Sequence, residues 1–375
     1  MKNPTSRQIA VQALTEIEAG SRANVVLAAL LEDEGRALSQ RDKAFVTELV
    51  QGTTRMRRSV DHLFKRFVTR DLDRDVLSAL RLGTYQLFHL RTPPHAAVND
   101  TVEAAPRRAS GLVNAVLRKI VDVEPLWPDE ATQFSYPDWI WDLFVNTWGT
   151  EGRASLISMN TPERPEPRPD GYIQGQASRW VSEAVDEASP NGGTLIDLCA
   201  APGGKTTAMG PAWSKVCANE INPTRARSLE KIVNNYRPGV QVLVSDGTSS
   251  PFATGCADAV LVDAPCSGLG ALGRRSDARW QISEKAINRL SGIQDGLLEE
   301  GLRLLGPQGV LTYSVCTVTR EETSEVAESF LNRHKEIVRL DLRGEHWRYH
   351  YGGGLVLPHD FGTDGMAIFQ WKREK

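Results

Sequence analysis

The ten residues Asp197-Leu198-Cys199-Ala200-Ala201-Pro202-Gly203-Gly204-Lys205-Thr206 constrain the fold more than any other stretch. Ahead of them, Gly192-Gly193 leads into Thr194-Leu195-Ile196, an apolar run of the kind buried in a parallel sheet. Behind them, Lys205-Thr206-Thr207-Ala208-Met209 can open a helix. A strand entering a helix through a glycine turn leaves backbone N–H groups free at the carboxyl edge of a sheet, where open α/β sheets bind cofactors. A phosphate-binding loop would need glycine where Cys199 stands, and the dinucleotide pattern G-x-G-x-x-G is missing. The turn is therefore built for something other than a nucleotide polyphosphate.

From this point the chain alternates. Strands are predicted over 194–198, 216–220, 240–245, 259–263 and 310–314, and helices over 205–209, 223–236, 284–305 and 321–333. This rhythm predicts a mostly parallel, doubly wound sheet. Short β-like runs at 336–342, 354–358 and 366–371 predict an antiparallel edge.

The first third reads differently. Residues 6–121 carry helical stripes: Ile9, Ala10, Ala13, Leu14 and Ile17 behind a cap at Ser6, then Phe45, Val46, Leu49 and Val50 behind Ser39 and Asp42. Further stripes follow at Val60, Leu63, Phe64 and Phe67, at Val76, Leu77 and Leu80, and at Val113, Val116, Leu117 and Ile120. With no strand alternation, an all-α bundle is expected. Its polar faces hold Arg55, Arg57 and Arg58, then Lys65, Arg66 and Arg70, and later Arg107, Arg108, Arg118 and Lys119. Such clusters are either solvated helix faces or phosphate contacts for an RNA helix.

Charge supports the division. Residues 1–125 hold 19 Lys+Arg against 15 Asp+Glu, and the remainder 25 against 32. A basic first part is compatible with RNA; an acidic second part suits a small cation. The five cysteines, at 199, 217, 256, 266 and 316, form no C-x-x-C pair, which argues against a disulfide framework and a zinc site. His346 and His350 have helical i, i+4 spacing but no third ligand, and are expected to be structural. The polar start Met1-Lys2-Asn3-Pro4 is unlike a signal peptide, and no apolar run is long enough to span a bilayer, so a cytoplasmic protein is expected.

Two further motifs follow the glycine turn: Asp263-Ala264-Pro265-Cys266-Ser267-Gly268 and Thr312-Tyr313-Ser314-Val315-Cys316-Thr317. In this order and at these distances, the three motifs resemble the RNA (cytosine-5)-methyltransferases that use S-adenosylmethionine. The resemblance is narrowest to the small-subunit ribosomal RNA methyltransferase B group, whose amino-terminal domain is NusB-like. It implies a NusB-like RNA-binding bundle over 1–125, a connector over 126–171 and a Rossmann-like methyltransferase domain over 172–375. It also implies an RNA substrate, most simply small-subunit ribosomal RNA, with transfer RNA methylation or a non-catalytic assembly role as the alternatives. No metal, no membrane and a monomer are expected.

The connector departs from the family. Trp127, Trp139, Trp141 and Trp148 make a dense aromatic stretch, expected to pack at the junction of the domains. Thr161-Pro162-Glu163-Arg164-Pro165-Glu166-Pro167-Arg168-Pro169-Asp170-Gly171 reads as an extended linker, where relatives usually carry a small α/β subdomain. Here the chain runs almost directly into Gln174-Gly175-Gln176-Ala177-Ser178.

By resemblance, the turn Cys199, Ala200, Ala201, Pro202, Gly203, Gly204 and Lys205 binds the methionine part of S-adenosylmethionine, Glu220 the ribose, and Asp246 the adenine amino group, with Asp263 beside them. Carbon 5 of cytosine is a poor nucleophile, so the chemistry needs a thiolate adding at carbon 6, an acid at ring nitrogen 3 and a base to take the proton from carbon 5. Asp263, Cys266 and Cys316 supply that kit. The residues alone leave open which cysteine attacks: the resemblance implies Cys316, with Cys266 the helper, whereas DNA cytosine methyltransferases use the Pro-Cys cysteine. The loop 267–283, with Arg274, Arg275, Arg279 and Trp280, is expected to grip RNA and help hold a flipped cytosine.

Overall fold

The computed structural model describes residues 4–162 and 164–374. Met1-Lys2-Asn3 of the polar start, Glu163 of the Pro-rich stretch and the terminal Lys375 lie outside the described residues. The chain divides into two compact units. One comprises residues up to Asn160 together with Leu272–Gln281; the other comprises Thr161–Ala271 and Ile282–Lys375.

The first unit is helical. Helices Ser6–Glu18, Ala23–Glu32, Gln40–Arg55, Arg57–Lys65, Arg74–Phe88, Pro94–Ala104 and Ser110–Ile120 enclose one core, in which Ile9, Val46, Leu49, Leu80, Val113 and Ile120 are fully buried. The first helix is capped one residue earlier than expected. Thr5 is the N-cap, its hydroxyl accepting from Gln8 N while the Gln8 side chain accepts from Thr5 N. Ser39 caps the third helix as its spacing predicts. Pro94 opens a helix at its first position, where a missing N–H costs nothing. The tryptophan stretch belongs to this unit: Trp141 stacks on Phe134 with ring centroids 5.8 Å apart, and Trp127 lies 5.6 Å from His62.

The second unit is a sheet of nine strands among the described residues: β1 (Gly193–Asp197), β2 (Trp213–Asn219), β3 (Gln241–Leu243), β4 (Ala257–Asp263), β5 (Leu305–Val315), β6 (Ile337–Arg339), β7 (Arg348–His350), β8 (Gly353–Val356) and β9 (Met366–Arg373). The order is β3-β2-β1-β4-β5-β9-β8-β7, with β6 also on β9. The first five strands are parallel, and β9 runs antiparallel to β5. Strand order reverses between β1 and β4, and the crevice at such a switch point is where open α/β sheets place ligands. β1 is buried on both faces (Leu195 and Ile196), as a central parallel strand must be.

Three sequence expectations change. β3 is only three residues long and stops before Ser245. The helix expected from 321 begins at Ser324, leaving Glu321 and Glu322 in the preceding turn. His350 ends a strand and His346 lies in a turn, so their spacing is not helical. His350 Nε2 sits 3.3 Å from Thr323 Oγ1, with burial pulling its pKa down to about 4, and His346 stacks on Trp180.

The Pro-rich stretch is more ordered than its composition suggests. Pro167 and Ile173 form a β-bridge, and Arg168 folds back against the glycine turn, donating to Gly204 O (3.1 Å) and Thr207 Oγ1 (3.2 Å).

Candidate active site

Parallel strands deliver their carboxyl ends to one edge, and the three motifs occupy those ends. β1 and β4 pair Asp197 with Leu261, and β4 and β5 pair Asp263 with Ser314. The glycine turn, the Pro-Cys loop and the loop bearing Cys316 therefore leave the sheet side by side.

The turn is held by its backbone neighbours. Ala200 N donates to Asn219 O at 2.9 Å, and the buried Asn219 side chain donates to Leu198 O and Ser245 O, drawing the loop after β3 up to the turn. Gly203 has φ +110°, a left-handed conformation, and a Cβ there would meet Leu229 Cδ1 at 2.8 Å. No other residue suits that position. Gly203 leads directly into the helix Gly204–Ala208.

Asp197, fully buried at the end of β1, accepts from Thr206 Oγ1 at 2.6 Å. Burial pushes its pKa up to about 7 against the pull of that hydrogen bond. The Cys199 thiol is pushed well up by burial and by Asp197, Asp263 and Glu220. Glu220 follows β2, 2% exposed; it accepts from Asn222 N (2.9 Å) and pairs with Arg225, which also donates to Ala201 O at 2.7 Å. Asp246 is exposed, three residues past β3, where its carboxylate accepts from Thr248 N and Oγ1; those bonds lower its pKa.

Lys205 and Asp263 meet. Lys205 Nζ lies 2.7 Å from Asp263 Oδ2, and Asp263 Oδ1 accepts from Ser314 Oγ at 2.9 Å. Burial pulls the Lys205 pKa down, but Asp263 and, more weakly, Cys316 raise it by more, so the ammonium stays charged. The two sulfurs, Cys266 Sγ and Cys316 Sγ, are 3.3 Å apart and both half-buried. Cys217 is buried and Cys256 exposed.

The loop expected to grip RNA does something else in part. Leu272–Gln281 belongs to the helical unit. Arg279 is fully buried there, donating to Ser135 O and Asn160 Oδ1 with its guanidinium 4.0 Å over the Tyr136 ring, and Trp280 Nε1 donates to Thr54 O at 2.7 Å. Arg55 is likewise buried, donating to Gly273 O, and Arg58 is tied to Tyr136 O and Asp138. Helical periodicity places Arg55 and Arg58 on polar faces and Arg279 in a loop; tertiary packing turns them inward. Lys65, Arg66, Arg70, Arg107, Arg108, Arg118 and Lys119 are exposed, as expected.

Residues 187–372 match the family described as 16S rRNA methyltransferase RsmB/F, and residues 4–122 match the NusB family. The chain is 31% identical to ribosomal RNA small subunit methyltransferase B of Thermus thermophilus, across 100% of this chain and 99% of the relative. The chain belongs to the RsmB/F methyltransferase family.

A putative methyltransferase of Mycobacterium tuberculosis is 32% identical, across 98% of this chain and 96% of that one. That alignment runs over 447 positions against the 375 residues of this RsmB/F methyltransferase, so the relative carries residues with no counterpart here. The crystal structure of PH0851 superposes over all of both chains with a TM-score of 0.80 at 23% identity, and therefore shares the fold. A methyltransferase homologue from Pyrococcus horikoshii matches 66% of this chain and all of its own, with a TM-score of 0.55 at 20% identity. The chain is an S-adenosylmethionine-dependent RNA methyltransferase with a NusB-like helical unit. Among the described residues, no helix is long and apolar enough to cross a membrane.

Proposed function

We propose that the enzyme methylates carbon 5 of a cytosine in small-subunit ribosomal RNA through a covalent adduct with Cys316. The observation that carries this reading is the pair of half-buried cysteines 3.3 Å apart, beside the ion pair of Lys205 and Asp263. One sulfur serves to attack and one to finish the reaction. Methylation at a ring nitrogen or a ribose oxygen would need neither.

The donor set fits S-adenosylmethionine: a glycine turn with free amides, an acid after β2, an acid after β3, and an acidic neighbourhood suited to a positive sulfonium. Backbone groups from Cys199 through Ala200, Ala201, Pro202, Gly203 and Gly204 to Lys205 would hold its methionine part, Glu220 its ribose and Asp246 its adenine, with Asp263 close by. When bound, it supplies an electrophilic methyl group.

The Cys316 thiolate forms a bond to carbon 6 of the cytosine, and the electron pair displaced from the 5,6 double bond makes carbon 5 nucleophilic. Asp263 relays a proton from the Lys205 ammonium to ring nitrogen 3 as charge develops there, and takes it back when the sulfur leaves. Once carbon 5 carries the methyl group, Cys266 as thiolate takes its proton. The carbon 6–sulfur bond breaks and the double bond returns. No metal ion takes part in these steps, and one chain contains all the groups they use.

Residues 1–125 would deliver the RNA, 126–171 connect, and 172–375 carry out the transfer in the cytoplasm, where the cysteines stay reduced. The name of the Thermus thermophilus relative supports the choice of substrate. The test is incubation of the full chain with labelled cofactor and small-subunit ribosomal RNA, followed by bisulfite mapping. Protection of one cytosine is expected. Label on RNA without a bisulfite-resistant cytosine, or transfer confined to transfer RNA, contradicts the proposal.

A further inference from the structure

Two cysteines from separate loops are useful only if something fixes both loops together, and a buried carboxylate does so here. Glu322 is fully buried, in the turn before the helix Ser324–Arg333. It accepts from Ser267 N at 2.7 Å and from Ser267 Oγ, the residue after Cys266. It also accepts from Thr317 Oγ1 at 3.3 Å, the residue after Cys316. Ser267 and Thr317 share a hydroxyl contact of 2.9 Å, and Gln294 Nε2 bridges Glu322 (3.1 Å) to Pro265 O (3.0 Å). The Glu322 backbone is fixed as well, its carbonyl accepting from the buried Tyr313 hydroxyl at 2.7 Å. Donors from the two cysteine loops thus converge on one carboxylate.

We propose that Glu322 is a positioning residue for the methyl transfer: its carboxylate clasps the Pro-Cys loop and the Cys316 loop and so sets the placement of the two sulfurs relative to each other. This rests on the two-cysteine reading above. Hydrogen bonds to an ionised acceptor are the stronger kind, and a loop freed by even an ångström costs a reaction that depends on two aligned sulfurs. Ser267 holds the loop of the finishing sulfur, and Thr317, together with Thr319 Oγ1 at 3.0 Å from the same carboxylate, the loop of the attacking one.

The experiment compares Glu322→Ala, Glu322→Gln, Ser267→Ala and Thr317→Val in the full chain with small-subunit ribosomal RNA. Methyl transfer, S-adenosylhomocysteine affinity, the RNA–protein adduct and diamide-driven joining of Cys266 to Cys316 are each measured. Glu322→Ala is expected to slow transfer about 100-fold with S-adenosylhomocysteine affinity unchanged, and Glu322→Gln to recover part of that loss. Diamide should join the two cysteines more slowly in Glu322→Ala. Ser267→Ala should accumulate adduct, whereas Thr317→Val should slow its formation. These two hydroxyl variants decide the matter if the carboxylate variants do not fold. The proposal is overturned if transfer and diamide joining are unchanged in Glu322→Ala, or if Ser267→Ala and Thr317→Val alter the adduct identically. Loss of the two-cysteine reading itself would register separately, as full activity in Cys316→Ala.

Discussion

Arg279 in the helical unit and Lys205 in the sheet unit are both cations with almost no solvent contact, yet they are held in different ways. Arg279 is caged by carbonyl and amide oxygens and lies over the Tyr136 ring, and burial lowers its pKa to about 10. Its charge is solvated by the fold. Lys205 faces a carboxylate whose other oxygen is hydrogen-bonded and whose side chain remains 31% exposed, and its pKa is raised in spite of burial. That ion pair opens onto the edge where the motifs converge. A buried cation enclosed by backbone can only serve the scaffold; one paired with a half-open acid is also available to a ligand at that edge.

The comparison can be sharpened from its strongest contrast downward. If the pair acts on the reacting base as proposed, Lys205→Met and Asp263→Asn should each lower methyl transfer by about 10³ while leaving thermal unfolding little changed. A parallel collapse of stability would make the pair structural instead. Arg279→Ala should do the reverse, costing about 2–4 kcal/mol of stability in chemical denaturation as its carbonyl partners lose their donor. If the variant unfolds like the parent, the cage is not holding the helical unit together.

Asp197 gives a pH-dependent case. Its carboxyl keeps a proton up to about pH 7 in the fold but loses it near the ordinary aspartate value when the chain unfolds. The native state then binds more protons than the unfolded state between those values, so stability falls as pH rises through this window, by at most about 1.4 kcal/mol per pH unit. Asp197→Asn should flatten that slope in urea titrations between about pH 4 and pH 7. An unchanged slope would mean the carboxyl is ionised in the fold. The smallest effects belong to the exposed cations: Arg70→Ala and Lys119→Ala should shift stability by under about 0.5 kcal/mol but lower the salt dependence of RNA binding by up to about one unit each.

Much of the sheet unit is legible in the sequence, because its signals are local. The helix Pro223–Tyr236 has the predicted bounds, and Gly203 stands where a left-handed turn is required. Motif spacing likewise foretold that Asp263, Cys266 and Cys316 would share an edge. What the sequence hid was every role that depends on a distant partner. Arg55 and Arg279 look like surface cations in a helical stripe and in a loop, and only the packing of Leu272–Gln281 with the helical unit buries them. Glu322 looks like an ordinary acid opening a helix; its donors lie 55 residues upstream in Ser267 and 28 upstream in Gln294. Arg168 sits in a stretch that composition marks as extended, and it docks on the glycine turn through its guanidinium.

The covalent route is tested most directly by electrophoresis under denaturing conditions after mixing each cysteine variant with small-subunit ribosomal RNA and S-adenosylmethionine. Cys266→Ala should leave RNA covalently joined to the protein, Cys316→Ala should leave none and no methylation, and the double variant should abolish the adduct. An adduct formed by Cys316→Ala would reverse the two roles, and methylation by the double variant would remove the sulfur nucleophile from the mechanism altogether.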